Sequence, residues 1–234
     1  FEAIDYVTLG DAASVCVQYE RLPSLLAIHR VGVGADHLRR LLAGISAAVA
    51  DRPADRRPRV VLFGESLGCW AGQDALLPGG LDRLDEWGID RALFAGTPYY
   101  SGWMRNALEH GSCPDGSVIE VDAAGELAAL SSRERERLRV VLLNHDNDPV
   151  RKLSLDLIVK RPAWLEAPRP AGVSDRQRYA PLVSAVQTIV DTANATNQVP
   201  GVFRAVGHDY RLDLPSAAID AFALERPPKA VWDR

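Results

Sequence analysis

The chain has 234 residues, 47% hydrophobic and 25% charged, with 27 Lys and Arg against 31 Asp and Glu for a formal charge of −4. This is the balance of an ordinary globular protein and excludes disordered and collagen-like chains; three Cys cannot form a complete disulfide scaffold. An acidic balance leaves no surplus to hold a phosphate backbone, so no nucleic-acid partner is expected.

No apolar run in the sequence approaches the roughly 20 residues that span a bilayer. The chain opens on Phe1 rather than Met, and Phe1–Val7 reads as part of a helix. These residues are therefore expected to be a fragment of a longer protein. Ala13–Tyr19 is rich in β-formers and reads as a strand. From Gly34 to Val49, Leu38, Leu41, Leu42, Ile45 and Val49 recur at helical spacing, with Asp36 the expected cap. Asp51–Pro58 is a polar connection. Val60–Phe63 is a short continuous apolar run, as a strand covered on both faces would be. Leu67–Leu77 turns helical and stops at Pro78-Gly79-Gly80. Arg91–Ala95 is a second buried-strand candidate. Trp103–Arg137 reads as irregular around Gly111, Pro114 and Gly116, then as helical and charged. Leu138–Leu143 is the clearest strand, Tyr179–Ala195 an amphipathic helix, and Ser216–Leu224 a final helix.

Alternation of strand and helix implies right-handed crossovers and a mostly parallel sheet flanked by helices. The expected organisation is a single α/β domain over residues 1–234, with an irregular insertion around 99–137. In such sheets chemistry gathers beyond the carboxyl ends of the strands. Three polar stretches follow apolar runs: Gly64–Gly68, Gly96–Tyr100 and Asn144–Asp148.

Gly64-Glu65-Ser66-Leu67-Gly68 fits G-x-S-x-G between a strand and a helix. A serine on that tight turn is pushed into the open at a helix N-terminus, where developing negative charge is favoured. Gly64 and Gly68 are expected to leave room where a side chain would collide. Ser66 becomes the candidate nucleophile and the Leu67 N–H one oxyanion donor.

A serine needs a base, most often a histidine. His29 and His37 precede the serine, against the hydrolase order of Ser, acid, His. His110 lies in the insertion and His145 directly after a strand. His208, in a late loop beside Gly207, is the best candidate base. The acid is expected at the tip of strand Leu138–Leu143, where Asp146 and Asp148 both stand. Asp148 precedes Pro149, which favours extended backbone leaving a strand tip. His145 with these two Asp lacks a partner cluster such as HExxH or CxxC, so no metal is expected, and no cofactor. Tyr99, Tyr100 and Trp103 follow a strand tip and either line an acyl pocket or pack in the core.

These residues resemble an α/β-hydrolase family of bacterial membrane-associated serine esterases whose members carry an N-terminal transmembrane region. The resemblance rests on Gly10–Ala13, Gln18-Tyr19 and Leu22–Ser24, on Arg57–Arg59 followed by Phe63-Gly64-Glu65-Ser66-Leu67-Gly68, on Ala92–Pro98, on Asp148-Pro149-Val150, and on Gly207-His208 with Tyr210. It implies an α/β-hydrolase fold lacking its first strands, with Ser66 as nucleophile, Asp148 rather than Asp146 as acid, and His208 as base. It also implies a Thr-Gly-rich loop ahead of the Phe1–Val7 helix as the source of the second oxyanion N–H. No such loop occurs here, and Arg151-Lys152 stands where the family has a Trp pair. A full-length protein anchored in a membrane is the implied setting.

The expected activity is hydrolysis of a carboxylic ester or thioester, small or lipid-like, through an acyl-serine intermediate. An acyltransferase using the same triad, or a catalytically silent hydrolase-fold binding module, are the alternatives. A chain with half an oxyanion hole is expected to be a weak enzyme.

Overall fold

In the computed structural model, residues 2–103, 116–170, 172–195, 201–204, 206–226 and 228 are described. Among them, four parallel strands form one sheet: β1 (Val60–Glu65), β2 (Ile89–Ala95), β3 (Val118–Val121) and β4 (Val140–Leu143), in the order β1-β2-β4-β3. The two central strands are apolar on both faces, and their alternation feeds two cores. Ala92, Phe94, Val140 and Leu142 face one, with Leu42, Leu76, Leu84 and Trp87. Leu93, Ala95, Val141 and Leu143 face the other, with Leu127, Tyr210 and Phe222. Side chains on a strand point alternately to opposite faces, so one strand serves both layers.

Helices Val31–Ala50 and Leu67–Leu76 pack on each other on the first face. The helix Leu214–Ala221 covers the second, with Glu2–Val7 and Ala124–Ala128 against it. Gly72 lets the helix after β1 approach closely: a Cβ there would lie 2.6 Å from the Phe94 ring.

Several expectations need correction. Ala13–Tyr19 is not a strand; it runs as irregular backbone with Val15 and Cys16 exposed. β-forming residues express that preference only against a pleated neighbour, and this segment pairs with none of the described strands. The helix expected from Gly34 starts at Val31, so Asp36 is no cap but lies inside it, bonded to Arg39 at 2.6 Å. Gly34 is no breaker either. It makes space for Tyr19, whose ring would lie 2.9 Å from a Cβ. The later part of Trp103–Arg137 is helical and charged as expected, but an unexpected strand precedes its helices. It holds β3 and two short helices, Ala124–Ala128 and Ser132–Arg137, the second capped by Ser131. His110 and Gly111 through Pro114 lie outside the described residues.

The strand ends are level. Glu65 is in register with Ala95, Ala95 with Leu143, and Leu143 with Val121. Each following residue continues the ladder: Ser66 N–H donates to Ala95 O, Gly96 N–H to Leu143 O, and Asn144 N–H to Val121 O. All three polar stretches singled out in the sequence therefore leave the sheet at one edge.

Candidate active site

Ser66 sits between β1 and the helix Leu67–Leu76 with φ 55° and ψ −121°. A non-glycine residue in that region is strained by about 1–3 kcal/mol. Gly64 permits the turn, since a Cβ there would stand 2.6 Å from Gly68 O. Gly68 does not have the expected steric role: a Cβ on it would meet nothing within 4 Å. Leu67 is the first residue of the helix, where an N–H has no partner within the helix and points outward. Cys69, one turn on, is buried with Sγ 2.8 Å from Ala95 O, and burial pushes its thiol well above the usual range.

Asp148 and His208 meet. His208 Nδ1 lies 2.7 Å from Asp148 Oδ2, both side chains being buried. Val150 N–H donates to Asp148 Oδ1 at 2.8 Å, and Tyr210 Oη donates to Oδ2 at 2.7 Å. Burial works against the carboxylate charge, but the His208, Tyr210 and Val150 bonds outweigh it and hold Asp148 below its ordinary 3.8. Burial alone would lower His208. The Asp148 bond and charge, with Glu65 adding to them, raise it above 6.5 instead. Glu65 itself is pushed up by burial. Among the described residues no hydrogen bond reaches Ser66 Oγ, and His208 Nε2 is likewise unengaged.

His208 passes close to the β2 tip, where Gly96 has φ 69°. A Cβ at Gly96 would lie 2.7 Å from His208 Cε1 and 2.7 Å from Tyr210 Cε2. The glycine is thus the gap through which both rings reach the sheet edge. The Gly96 and Thr97 N–H groups donate to Leu143 O and to Asn144 Oδ1, so neither is a free oxyanion donor. The Gly32–Gly34 stretch is helical.

The five polar residues after β4 each hold something. Asn144 receives Thr97 N–H at 2.7 Å and donates to Glu120 at 2.8 Å. His145 stacks on the Tyr210 ring, centroids 4.1 Å apart. Its Nδ1 faces Gly207 O at 2.8 Å and its Nε2 faces Asp213 Oδ2 at 3.2 Å. Both His145 nitrogens are thus occupied away from Ser66. Asn147 Oδ1 accepts Gly207 N–H at 2.7 Å. Asp146 points instead toward Arg151, 3.9 Å away, and burial with the neighbouring Asp122 raises its carboxyl. The backbone on both sides of Gly207 is therefore clamped from the β4 tip, one residue before His208. His29 and His37 are exposed on the helical stretch before β1.

Of the aromatics after β2, Trp103 is a core residue. Tyr100 is partly exposed and stacks on Trp70 of the serine's own helix, with Tyr99 edge-on to it. Two clefts of about 140 and 180 Å³ lie beside the loop that follows β4. Lys152, Trp164 and Asp191 line the first, His145 and Asp213 the second, and Ser66 lines neither. Lys152 sits over Trp164, 5.0 Å from the ring centroid, and burial lowers its amine to about 8.

A model of the alpha/beta-hydrolase family matches residues 1–230. The chain belongs to the alpha/beta-hydrolase family. No curated protein and no solved structure matches it. Sequence reasoning overlooked Tyr210 as a hydrogen-bond donor to Asp148, His145 and Asn147 as loop clamps, and Gly96 as the gap. The available signal was an unbroken polar run, Asn144–Asp148, behind four buried apolar residues.

Proposed function

We propose that this alpha/beta-hydrolase is a serine hydrolase that cleaves a carboxylic ester or thioester through an acyl-serine intermediate. The observation that carries the reading is the buried Asp148 Oδ2–His208 Nδ1 contact at 2.7 Å, at the sheet edge that Ser66 leaves with positive φ. With Nδ1 committed to the carboxylate, the neutral imidazole carries its proton there and its lone pair on Nε2. That nitrogen takes the Ser66 proton as Oγ attacks the carbonyl carbon. Asp148 stabilises the imidazolium. The Leu67 N–H binds the oxyanion, aided by the helix N-terminus. His208 then protonates the leaving alcohol or thiol. In the second half, water attacks the acyl-serine with His208 again as base, and Ser66 is released. No step requires a redox or metal group. Trp70, Tyr99 and Tyr100 are the proposed wall for the acyl chain.

The test is hydrolysis of p-nitrophenyl esters of increasing chain length. Ser66→Ala and His208→Ala should each lower kcat by about 10⁴ or more with the fold intact. Unchanged turnover in Ser66→Ala would remove the serine from the reaction. No turnover in the wild type, with no probe labelling of Ser66, would favour a silent binding module.

A further inference from the structure

Of the 27 basic side chains only three are Lys, at 152, 160 and 229. One of them lies in a cleft. Lys152 ends the short helix Pro149–Lys152 and lines the cleft of about 140 Å³ together with Asn147, Trp164, Gln177 and Asp191. One wall comes from the helix Val183–Ala195, through Thr188 and Asp191. The aliphatic side of that helix is exposed, and its inward side is Ser184, Ala185, Thr188 and Thr192. The Thr188 and Thr192 hydroxyls donate to the carbonyls one turn back, at 2.8 and 2.7 Å, so they are satisfied within the helix.

The amine in the cleft has no ordinary partner. Among the described residues no hydrogen bond or ion pair reaches Lys152 Nζ, and its contact is the face of the Trp164 ring, 5.0 Å from the centroid. Burial lowers the amine to about 8, and Arg151 adds to the effect, against the charges of Asp146, Asp148 and Asp122. About a tenth of it is therefore unprotonated at pH 7, as an arginine in its place would never be. Asn147 uses its Oδ1 to accept Gly207 N–H. Its Nδ2 and the Gln177 side-chain amide have no partner among the described residues. The cleft thus holds a nitrogen with an available lone pair, two amide donors, a carboxylate and an aromatic wall.

We propose that Lys152 is a second nucleophile of this protein, one that captures small aldehydes in the cleft as an imine. The lone pair on Nζ attacks the aldehyde carbon, and the carbonyl π pair moves to oxygen, where the Asn147 and Gln177 amides serve as donors. The N–C bond forms first. The carbinolamine C–O bond then breaks, and the oxygen leaves as water with the two protons that nitrogen gives up. Asp191 is the carboxylate at hand to relay them. Nothing is oxidised or reduced. An aldehyde suits the site because it brings no leaving group, and the cleft is well below the roughly 300 Å³ at which drug-sized ligands begin. Trp164 and Val173 take the short carbon chain. Ser66 does not line this cleft, so the inference does not depend on the esterase reading, and its test uses no turnover.

The test is reductive trapping of the whole chain with butanal and cyanoborohydride at pH 7, read by peptide mapping. Lys160, which is exposed, is the internal reference. Lys152 should be alkylated at least about ten-fold faster than Lys160, at a rate that saturates with butanal. Its rate should reach half of its plateau near pH 8. A bulky aldehyde, diphenylacetaldehyde, should lose the preference for Lys152. Gln177→Leu should slow Lys152 about five-fold and leave Lys160 unchanged. If that variant fails to fold, saturation in the wild type decides. Lys152 labelled no faster than Lys160, or at a rate strictly proportional to butanal, would overturn the proposal. So would a preference that the bulky aldehyde keeps, since the amine would then be reacting in open water.

Discussion

Tyr210 Oη and His208 Nδ1 reach the same oxygen of Asp148, each at 2.7 Å. The tyrosine is fully buried, and its hydroxyl also accepts the His145 N–H at 3.0 Å. A buried carboxylate flanked by two such donors can swing to neither side, so the imidazole it orients is fixed as well. Burial, together with the neighbouring Asp148 charge, raises the Tyr210 hydroxyl far above its ordinary range, so it stays a donor at every working pH.

Tyr210→Phe should therefore weaken both stability and turnover. It removes a hydrogen bond to a charged group and leaves the His145 N–H unpaired in the interior, a loss of about 1.5–3 kcal/mol. Denaturant melts read the first effect. In ester hydrolysis kcat should fall while KM stays within about two-fold, because the residue orients Asp148 and does not touch substrate. A purely structural role would lower the melting midpoint and leave kcat unchanged.

The acid assignment predicts unequal variants. Asp148→Asn should lower kcat by about 10⁴, since the amide favours the wrong imidazole tautomer. Asp146→Asn should change kcat by no more than a few-fold, because its carboxylate faces Arg151. Equal losses in the two would point to a shared loop role.

Two residues of one motif separate strain from chemistry. Ser66 carries φ 55°, a backbone that glycine adopts freely. Ser66→Gly should therefore be more stable than Ser66→Ala by about 1 kcal/mol, although both lack the hydroxyl. Equal unfolding midpoints for the two would mean that the turn stores no strain.

The pH profile follows from His208. Its folded value is raised above 6.5, so the neutral base is lost as pH falls through that raised value. The acid limb of kcat/KM should thus lie above pH 6.5. The sign for stability is opposite: the charged imidazole stabilises the fold below its unfolded pKa, and that contribution fades as pH rises through the folded one. Part of the shift comes from the Glu65 charge. Glu65→Gln should move the acid limb to lower pH without abolishing turnover, and an unmoved limb would exclude Glu65 from the electrostatics of the base.

The legible parts of the sequence were those governed by local pattern. β1, β2 and β4 are short apolar runs, and the Asp148–His208 contact joins two polar residues that stand behind a strand tip and beside a glycine, while their proposed work on Ser66 is left to experiment. β3 was not legible because, at the sheet edge, its short apolar run is interrupted by Glu120. Its Glu120 serves Asn144 and Arg151 rather than breaking the strand. Ala13–Tyr19 misled because its β-formers meet no ladder. The Val183–Ala195 periodicity identified a helix but not which face turns inward, since buried Thr can satisfy itself. Tyr210 and His145 act across about sixty residues of chain, a separation that no local pattern reveals.

The central claim is that the Asp148–His208 pair activates Ser66. Its most direct measurement is the rate of fluorophosphonate labelling, followed by intact mass and peptide mapping. A single adduct on Ser66 is predicted, absent in Ser66→Ala and slowed at least about 100-fold in His208→Ala. Labelling of another residue, or a Ser66 adduct that forms equally fast without His208, would contradict it.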